Sequence, residues 1–186
     1  MQGLDDRTFM ALYGGAQGPM GTPMIVFSLL GGGWAALALV PLIAWPGPSR
    51  VRSFARALAV AIAAQALLVV GIKAAFGRVR PWIALGLPAP IGEPHDGSFP
   101  SGHAAGAFCV ATFLAMAMPG FFPESPRRAR WLSAVAMIVA AAIAFSRVYL
   151  GAHFPSDVLA GGLLGGAIGA AAGRAHRDVA QKWTPT

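Results

Sequence analysis

Long apolar runs separated by short polar stretches extend over most of this chain. Five runs approach the roughly 20 residues that a helix needs to cross a bilayer. They lie at about 23–45, 55–76, 103–122, 131–149 and 155–173. Because their polar residues lie mainly near the ends, the pattern predicts an all-α, polytopic membrane helix bundle. We expect about five transmembrane helices in a single domain over residues 1–186.

The segment before these runs, residues 1–22, is too polar to cross a membrane. Phe9, Met10 and Tyr13 lie close together in it, which predicts a short helix at the membrane interface. Only one basic residue, Arg7, precedes the first apolar run. This start matches a signal peptide poorly, so we expect no cleavage.

The composition supports a membrane protein. Hydrophobic residues make up 56% of the chain and charged residues 11%, whereas soluble domains carry about 25% charged residues. The net charge of +7 could suggest a nucleic-acid partner. However, no basic run is interleaved with aromatic residues on a polar face. We therefore expect the lipid bilayer, and no nucleic acid, as the partner.

The basic residues predict the orientation. Nine of them follow the first, third and fifth runs, on one side of the membrane: Arg50, Arg52, Arg56, Arg127, Arg128, Arg130, Arg174, Arg177 and Lys182. The positive-inside rule assigns that side, with the C-terminus, to the cytoplasm. In the last run, four glycines share one helix face: Gly161, Gly165, Gly169 and Gly173. Small residues let helices approach closely, and we favour packing within the monomer over a dimer face.

Three cations fall on the opposite, outer side at or near membrane depth. Lys73, Arg80 and Arg147 would repel one another there unless an anion lay between them. Arginine side chains match phosphate oxygens in geometry, so the three residues predict an anion site. For Arg78 we expect instead that the side chain extends to the lipid headgroups.

The stretch PSGH, Pro100 to His103, opens the third run. Ser101 can cap the helix, and Gly102 lets the backbone approach a ligand. The free N–H groups at such a helix start form a natural anion site. Taken alone, the stretch would equally fit a capped turn with an interfacial histidine.

The stretch SRVYLGAHFPSD joins the fourth and fifth runs. Pro155 suits the first turn of the last helix, and His153 and Asp157 are four residues apart, so they can meet. A carboxylate that holds the proton on one ring nitrogen leaves the other nitrogen free to attack. The alternative is that Asp157 only favours the helix dipole.

Together, K-x6-R-P, P-S-G-H and S-R-x5-H-x3-D resemble the signature of the type-2 phosphatidic acid phosphatase family, which includes membrane lipid phosphatases and vanadium haloperoxidases. All three parts occur in order over residues 73–157. The resemblance implies a phosphohistidine on His153, oriented by Asp157, with His103 as the acid and then the base. It also implies no metal and no other cofactor. The phosphate-binding residues that it implies are Lys73, Arg80, Ser101, Gly102 and Arg147.

The expected activity is hydrolysis of a lipid phosphate or pyrophosphate at the outer face of a membrane, most simply a bacterial inner membrane. The family suggests undecaprenyl pyrophosphate, phosphatidic acid, phosphatidylglycerol phosphate or lipid A phosphate as substrate. Many members have six spans, and this chain has only residues 1–22 in place of the first. The long connection 82–99 could be a lid that selects the head group, or an irregular surface connection.

Three alternatives stay open. The same site could transfer the phosphoryl group to an acceptor lipid, or the chain could bind or transport an anionic lipid without catalysis. A metal-dependent hydrolase could use acids and histidines such as His95 and Asp96. The neighbouring cations argue against a metal, because they would repel it.

Overall fold

A computed structural model describes residues 2–32, 38, 41, 43, 45–90 and 96–182 of the chain. Its helices are α1 (Gln2–Leu12), α2 (Gly21–Leu30), α3 (Ser49–Phe76), α4 (Pro81–Ala84), α5 (Gly102–Phe121), α6 (Pro126–Tyr149) and α7 (Pro155–Lys182). These described ranges contain no strand. The predicted all-α fold is confirmed.

Helices α3, α5, α6 and α7 are long and apolar enough to cross a membrane. They correspond to the second to fifth apolar runs of the sequence. Helix α2 covers the start of the first run, and most of the rest of that run lies outside the described residues. The polytopic membrane bundle is therefore confirmed, with α2 as a shorter apolar helix beside four candidate spans.

Local chemistry defines where these helices begin and end. The Ser101 hydroxyl accepts a hydrogen bond from the Ala104 N–H at 3.4 Å, so Ser101 caps α5 as predicted. Helices α6 and α7 begin at prolines, whose fixed φ suits a first turn. Helix α3 is capped by Gly77, which has a φ of 55° and whose N–H bonds to the Lys73 carbonyl.

The glycine face of α7 packs against the backbone of α5. A Cβ atom on any of the four glycines would collide with an α5 carbonyl oxygen. In the order Gly161, Gly165, Gly169 and Gly173, the opposing carbonyls belong to Ser101, Ala105, Cys109 and Phe113. Both series advance by four residues in the same direction, so α5 and α7 run parallel. This confirms packing within the monomer and places the two helix starts side by side.

The alternation of helix directions separates two ends of the bundle. Helices α3 and α6 finish, and α5 and α7 begin, at one end, which we term the site end. The opposite end, which we term the basic end, contains the starts of α3 and α6 with their arginines. There Arg50 donates to the carbonyl oxygens of Gly120 and Phe121 at 2.5 and 2.6 Å.

Helix α1 lies at the site end, against the connection between α6 and α7. Phe9 is fully buried, and its ring contacts that of Phe154 at a centroid distance of 5.5 Å. The N–H groups of Gly14 and Gly15 donate to the Tyr149 carbonyl at 3.1 and 3.0 Å. The N-terminal segment is therefore attached to the connection that contains His153.

Candidate active site

The three signature stretches meet at the site end of the bundle. The Ser101 N–H donates to the Asp157 backbone carbonyl at 2.9 Å, which joins the second stretch to the third. The Ser98 hydroxyl donates to the Asp157 carboxylate. The Ser98 N–H donates to the Arg78 carbonyl at 2.7 Å, which joins the first stretch to the residues just before the second. Segments far apart in the sequence thus form one polar cluster, as the sequence predicted.

His153 and Asp157 face each other, as their spacing predicts. Both are buried, and Nδ1 of His153 lies 3.7 Å from Oδ2 of Asp157. This distance is longer than a hydrogen bond, and within the part of the chain that the structure describes Nδ1 has no hydrogen-bond partner. The same Oδ2 accepts from the Phe154 N–H at 2.9 Å. The carboxylate is thus held beside the imidazole, and a small movement would form the bond.

The other ring nitrogen of His153, Nε2, faces Arg80. Nε2 lies 3.4 Å from Nη1 of Arg80, and a guanidinium can only donate. In this arrangement Nε2 accepts, so the ring proton is on Nδ1, facing Asp157. Burial lowers the pKa of His153 to about 3, and the charges of Arg147 and Arg80 act in the same direction. The imidazole is therefore neutral near pH 7, with its lone pair on Nε2.

Arg80 and Lys73 share one carboxylate, that of Asp96. Arg80 donates from Nη2 to Oδ1 at 2.6 Å and from Nε to the Asp96 backbone carbonyl at 3.0 Å. Lys73 donates from Nζ to Oδ2 at 2.8 Å. Burial acts to raise the pKa of Asp96, but the hydrogen bonds from Lys73 and Arg80 outweigh it and lower that pKa. Asp96 is therefore an anion bound to two of the predicted phosphate-binding cations.

Arg147 supports the histidine connection through its backbone as well as its charge. Its carbonyl oxygen accepts from the N–H groups of Ala152 and His153 at 2.9 and 3.1 Å. Its guanidinium is buried and donates from Nη1 to the Ser28 hydroxyl of α2. Helix α2 thus contributes directly to the cation cluster.

His103 and Gly102 lie in the first turn of α5 and line an apolar cavity of about 500 Å³. His103 lies two residues after Ser101, whose N–H bonds to the Asp157 carbonyl, so this helix start lies beside the same site. Ser101 is buried, and its N–H is already bound to Asp157. Any contact of Ser101 with a phosphate would consequently come from its hydroxyl.

Arg78 is not extended to the lipid headgroups, so that expectation is wrong. Its Nη1 donates to Oδ1 of Asp157 at 2.6 Å and its Nη2 to Oδ2 of Asp5 at 2.7 Å. Its guanidinium also stacks on the Phe154 ring, 4.4 Å from the centroid. Asp5 in turn accepts from the Ser156 hydroxyl at 2.5 Å. Two carboxylates and an aromatic ring therefore hold the Arg78 guanidinium at the Asp157 carboxylate.

The connection 82–99 begins as the short helix α4 and reaches Asp96. His95, which the sequence offered as a candidate metal ligand, lies outside the described residues. In the described part of the chain, no three His, Cys, Asp or Glu side chains are grouped as they would be around a metal ion. Asp96 contacts cations there, not other potential metal ligands.

We predict that Arg78→Ala lowers kcat by roughly 10- to 100-fold with little change in KM. A hydrogen bond to a charged group contributes about 1.5–3 kcal/mol, and the loss would leave Asp157 less firmly positioned. Steady-state kinetics on a lipid phosphate, with thermal unfolding measured in parallel, tests this. Arg7→Ala removes an exposed arginine from α1 and serves as the control. Wild-type kcat in Arg78→Ala would contradict the role.

The sequence profile of the PAP2 superfamily matches residues 54–180. The chain therefore belongs to this family, which is the type-2 phosphatidic acid phosphatase family that its motifs resemble. With four apolar helices of spanning length, it is an integral membrane protein.

Curated relatives share part of the chain. Phosphatidylglycerophosphatase B of Bacillus subtilis is 36% identical over 102 residues, which is 53% of this chain and 50% of that protein. An undecaprenyl-diphosphatase of Sulfolobus acidocaldarius is 38% identical over 73 residues, 39% of this chain and 31% of that protein. The chain thus spans half or less of the length of these relatives.

A solved structure shows the same fold over nearly the whole chain. It is the crystal structure of a transmembrane PAP2-type phosphatidylglycerolphosphate phosphatase from Bacillus subtilis. The TM-score is 0.76 at 23% sequence identity, and the match covers 98% of this chain and 87% of that one. At this level of identity, the likeness establishes the fold alone.

Proposed function

We propose that this protein is a lipid phosphatase that hydrolyses a phosphate or pyrophosphate monoester of a membrane lipid without a metal ion. The observation that carries the proposal is the buried His153, whose Nε2 lies 3.4 Å from Nη1 of Arg80. A neutral imidazole beside cations is suited to attack a phosphorus atom, because the cations draw the phosphate oxygens towards it.

In the first step, Nε2 of His153 attacks the phosphorus, and the bond from phosphorus to the lipid oxygen breaks. His103 donates a proton to that leaving oxygen. The imidazole of His153 becomes positively charged, and the Asp157 carboxylate, 3.7 Å from Nδ1, stabilises it. The phosphoryl oxygens are held by Lys73, Arg80, Arg147, the Ser101 hydroxyl and the Gly102 N–H.

In the second step, His103 accepts a proton from water, and the resulting hydroxide attacks the phosphorus. The bond from Nε2 to phosphorus breaks, and inorganic phosphate leaves. The lone pair returns to Nε2, and His103 again carries the proton needed for the next turnover. The site is restored with one water consumed.

The apolar cavity next to His103 supports a lipid substrate. It extends from Gly102 and His103 at the site end along α5 and α6 to Leu132, in the second turn of α6 near the basic end. His103 is the only polar side chain among its described lining residues. We assign this cavity to the hydrocarbon chain of the substrate, whose head group would then lie beside His103.

Filling the cavity should affect long-chain substrates selectively. Ala136 lines it on α6, and Ala136→Leu is expected to raise KM for a long-chain lipid phosphate about tenfold. Displacing two buried methylene groups costs roughly 1.6 kcal/mol at about 0.8 kcal/mol each. A water-soluble short-chain phosphate should be hydrolysed as by the wild type. Ala134→Leu, on the exposed face of α6, is the matched control, and equal effects of both variants would argue against the assignment.

The test of the function is phosphate release from purified lipid phosphates in excess EDTA. The panel contains undecaprenyl pyrophosphate, phosphatidic acid, phosphatidylglycerol phosphate and lipid A phosphate. Release from at least one lipid that persists in EDTA supports the proposal, whereas loss of release in EDTA supports the metal-dependent alternative. No release from any lipid supports non-catalytic binding or transport. A phosphorylated product that forms only when an acceptor lipid is added would indicate a phosphotransferase.

We also propose that the site end faces the periplasm or the outside of a bacterial inner membrane and that the C-terminus is cytoplasmic. The proposal rests on the nine basic residues that follow the first, third and fifth apolar runs. Arg50, in the first turn of α3, donates to the Phe121 carbonyl at the end of α5, so these two helix ends lie on the same side. A C-terminal fusion to a reporter that is active only in the cytoplasm should be active. An inactive fusion of a folded protein would reverse the orientation.

A further inference from the structure

The two carboxylate oxygens of Asp157 have different partners. Oδ1 accepts from Nη1 of Arg78 at 2.6 Å. Oδ2 accepts from the Phe154 N–H at 2.9 Å and from the Ser98 hydroxyl, and it lies 3.7 Å from Nδ1 of His153. Arg78 therefore holds one oxygen of the carboxylate, while the other oxygen faces the imidazole.

Asp5 of α1 binds the second nitrogen of the Arg78 guanidinium. Nη2 of Arg78 donates to Oδ2 of Asp5 at 2.7 Å, while Nη1 donates to Asp157. A guanidinium frequently places two parallel N–H groups on one carboxylate, but here its two end nitrogens bind two different carboxylates. Asp5 thereby keeps Arg78 from binding both oxygens of Asp157.

Asp5 also binds the start of α7. Its Oδ1 accepts from the Ser156 N–H at 3.1 Å, and its Oδ2 accepts from the Ser156 hydroxyl at 2.5 Å. A side chain from another helix thus satisfies an N–H group of the first turn, with a charge that suits the helix dipole. One turn further along α1, the ring of Phe9 packs on that of Phe154 at a centroid distance of 5.5 Å. Asp5 is therefore held in place by contacts other than its ion pair with Arg78.

Given the proposed phosphatase function, we propose that Asp5 is a positioning residue for the reaction. It holds Nη2 of Arg78, so that Arg78 binds only Oδ1 of Asp157 and leaves Oδ2 to His153. When the attack makes the imidazole positive, Oδ2 accepts from Nδ1–H. The N-terminal helix contributes to the chemistry in this way through Arg78, and not by contact with the substrate.

Asp5→Asn tests this role, because it removes the charge and keeps the size of the side chain. Nη2 of Arg78 then loses its anion, and the guanidinium turns to bind both oxygens of Asp157, which draws the carboxylate away from His153. We expect kcat for a lipid phosphate to fall about tenfold, roughly the effect of one hydrogen bond to a charged group, with KM changed less than about twofold. Asp6→Asn, which removes the same charge from the next residue of α1, should match the wild type.

Binding of two anions separates positioning from a structural role without turnover. Inorganic phosphate binds the cations, whereas orthovanadate takes the five-coordinate geometry of phosphoryl transfer and mimics the transition state, in which the imidazole becomes positive. Calorimetry should show about tenfold weaker vanadate binding in Asp5→Asn, with phosphate binding changed less than about twofold. Equal losses for both anions, together with a loss of thermal stability, would mean that Asp5 only stabilises the fold and would overturn the proposal.

The effect of Asp5 should depend on Arg78. In an Arg78→Ala background, Asp5→Asn should lower kcat less than about twofold, because residues that act through one contact do not have additive effects. No guanidinium is then left to bind the second oxygen of Asp157. A further loss as large as in the wild-type background would show that Asp5 does not act through Arg78.

Ser156→Ala gives the test if Asp5→Asn does not fold. The Ser156 hydroxyl donates to Asp5 at 2.5 Å and accepts from Nη1 of Arg78 at 2.7 Å. Its loss loosens the same contacts and should lower both kcat and vanadate affinity about threefold, with unchanged phosphate affinity. Wild-type kcat and vanadate affinity in Ser156→Ala would contradict the role of Asp5.

The role of Asp5 and the proposed function can fail separately. Weaker vanadate binding in Asp5→Asn, in a protein that hydrolyses no lipid phosphate, would retain the positioning role and reject the phosphatase. Hydrolysis of a lipid phosphate by Asp5→Asn at the wild-type rate would retain the phosphatase and reject the positioning role.

Discussion

His153→Ala is expected to lower kcat for lipid phosphate hydrolysis by at least about 10³-fold, because it removes the proposed nucleophile. Binding of inorganic phosphate should change only a few-fold. Lys73, Arg80 and Arg147 remain, and Arg147 is held by Ser28 on another helix. Phosphate release and calorimetric phosphate binding, measured on the same preparation, test both parts.

The covalent intermediate gives a second measurement for His153. Rapid quenching of the wild type during turnover should trap an acid-labile phosphoryl group on the protein, and His153→Ala should trap none. His176→Ala, which alters a partly buried histidine near the C-terminal end of α7, is the matched control and should keep both activity and intermediate. A His153→Ala enzyme with more than a tenth of wild-type activity would remove His153 from the chemistry. If the variant lost both activity and phosphate binding, the role of His153 would be in binding the phosphate and not in attacking it.

The membrane helices could be predicted because their signal is local. Each run of apolar residues is long enough to span, and the helix ends carry their own chemistry. The Ser101 cap and Pro155 at the start of α7 are examples. The glycine row predicted a close helix–helix contact, since small residues at a four-residue period share one helix face, but it left a dimer face as the alternative. Its partner helix, α5, and the parallel direction could not be derived from the period alone.

The core of the site could be predicted because the motif residues are close to the helix ends that position them. His153 and Asp157 are separated by one helical turn, and the short connection leaves them little freedom to point elsewhere. The assignment of the proton to Nδ1 needed the structure. It depends on Arg80, which is 73 residues from His153 in the sequence and 3.4 Å away in space.

The contacts of the residues that surround and position the site could not be predicted from the sequence. Arg78 near a helix end fits contact with lipid headgroups as well as an ion pair, and nothing local indicates its bond to Asp5. Ser28 is one serine in an apolar run, yet it accepts a hydrogen bond from Arg147. Asp96 stood out as acidic but lies in an irregular connection. Such contacts depend on tertiary structure, and they leave no periodic pattern in a single sequence from which they could be predicted.

His103→Gln should slow the reaction by about 10²- to 10⁴-fold, the range that general acid–base catalysis contributes. The size of the loss should depend on the leaving group. An alkoxide of a lipid needs a proton to leave, whereas nitrophenolate does not. With p-nitrophenyl phosphate, therefore, the first step should proceed in the variant, and only the second, in which His103 activates water, should be slow. The phosphohistidine should then accumulate, visible as a burst of nitrophenolate.

The pH dependence separates the two histidines. Burial lowers the pKa of His153 to about 3, so protonation of the nucleophile removes activity only far below the usual histidine value of about 6.5. In kcat for a lipid phosphate, which reports the substrate complex, the alkaline limb should then report loss of the proton from His103, and it should disappear in His103→Gln. An acid limb near pH 6.5 that persists in His103→Gln would show that His153 titrates normally. Equal losses for lipid and nitrophenyl substrates, without a burst, would show that His103 is not the proton donor.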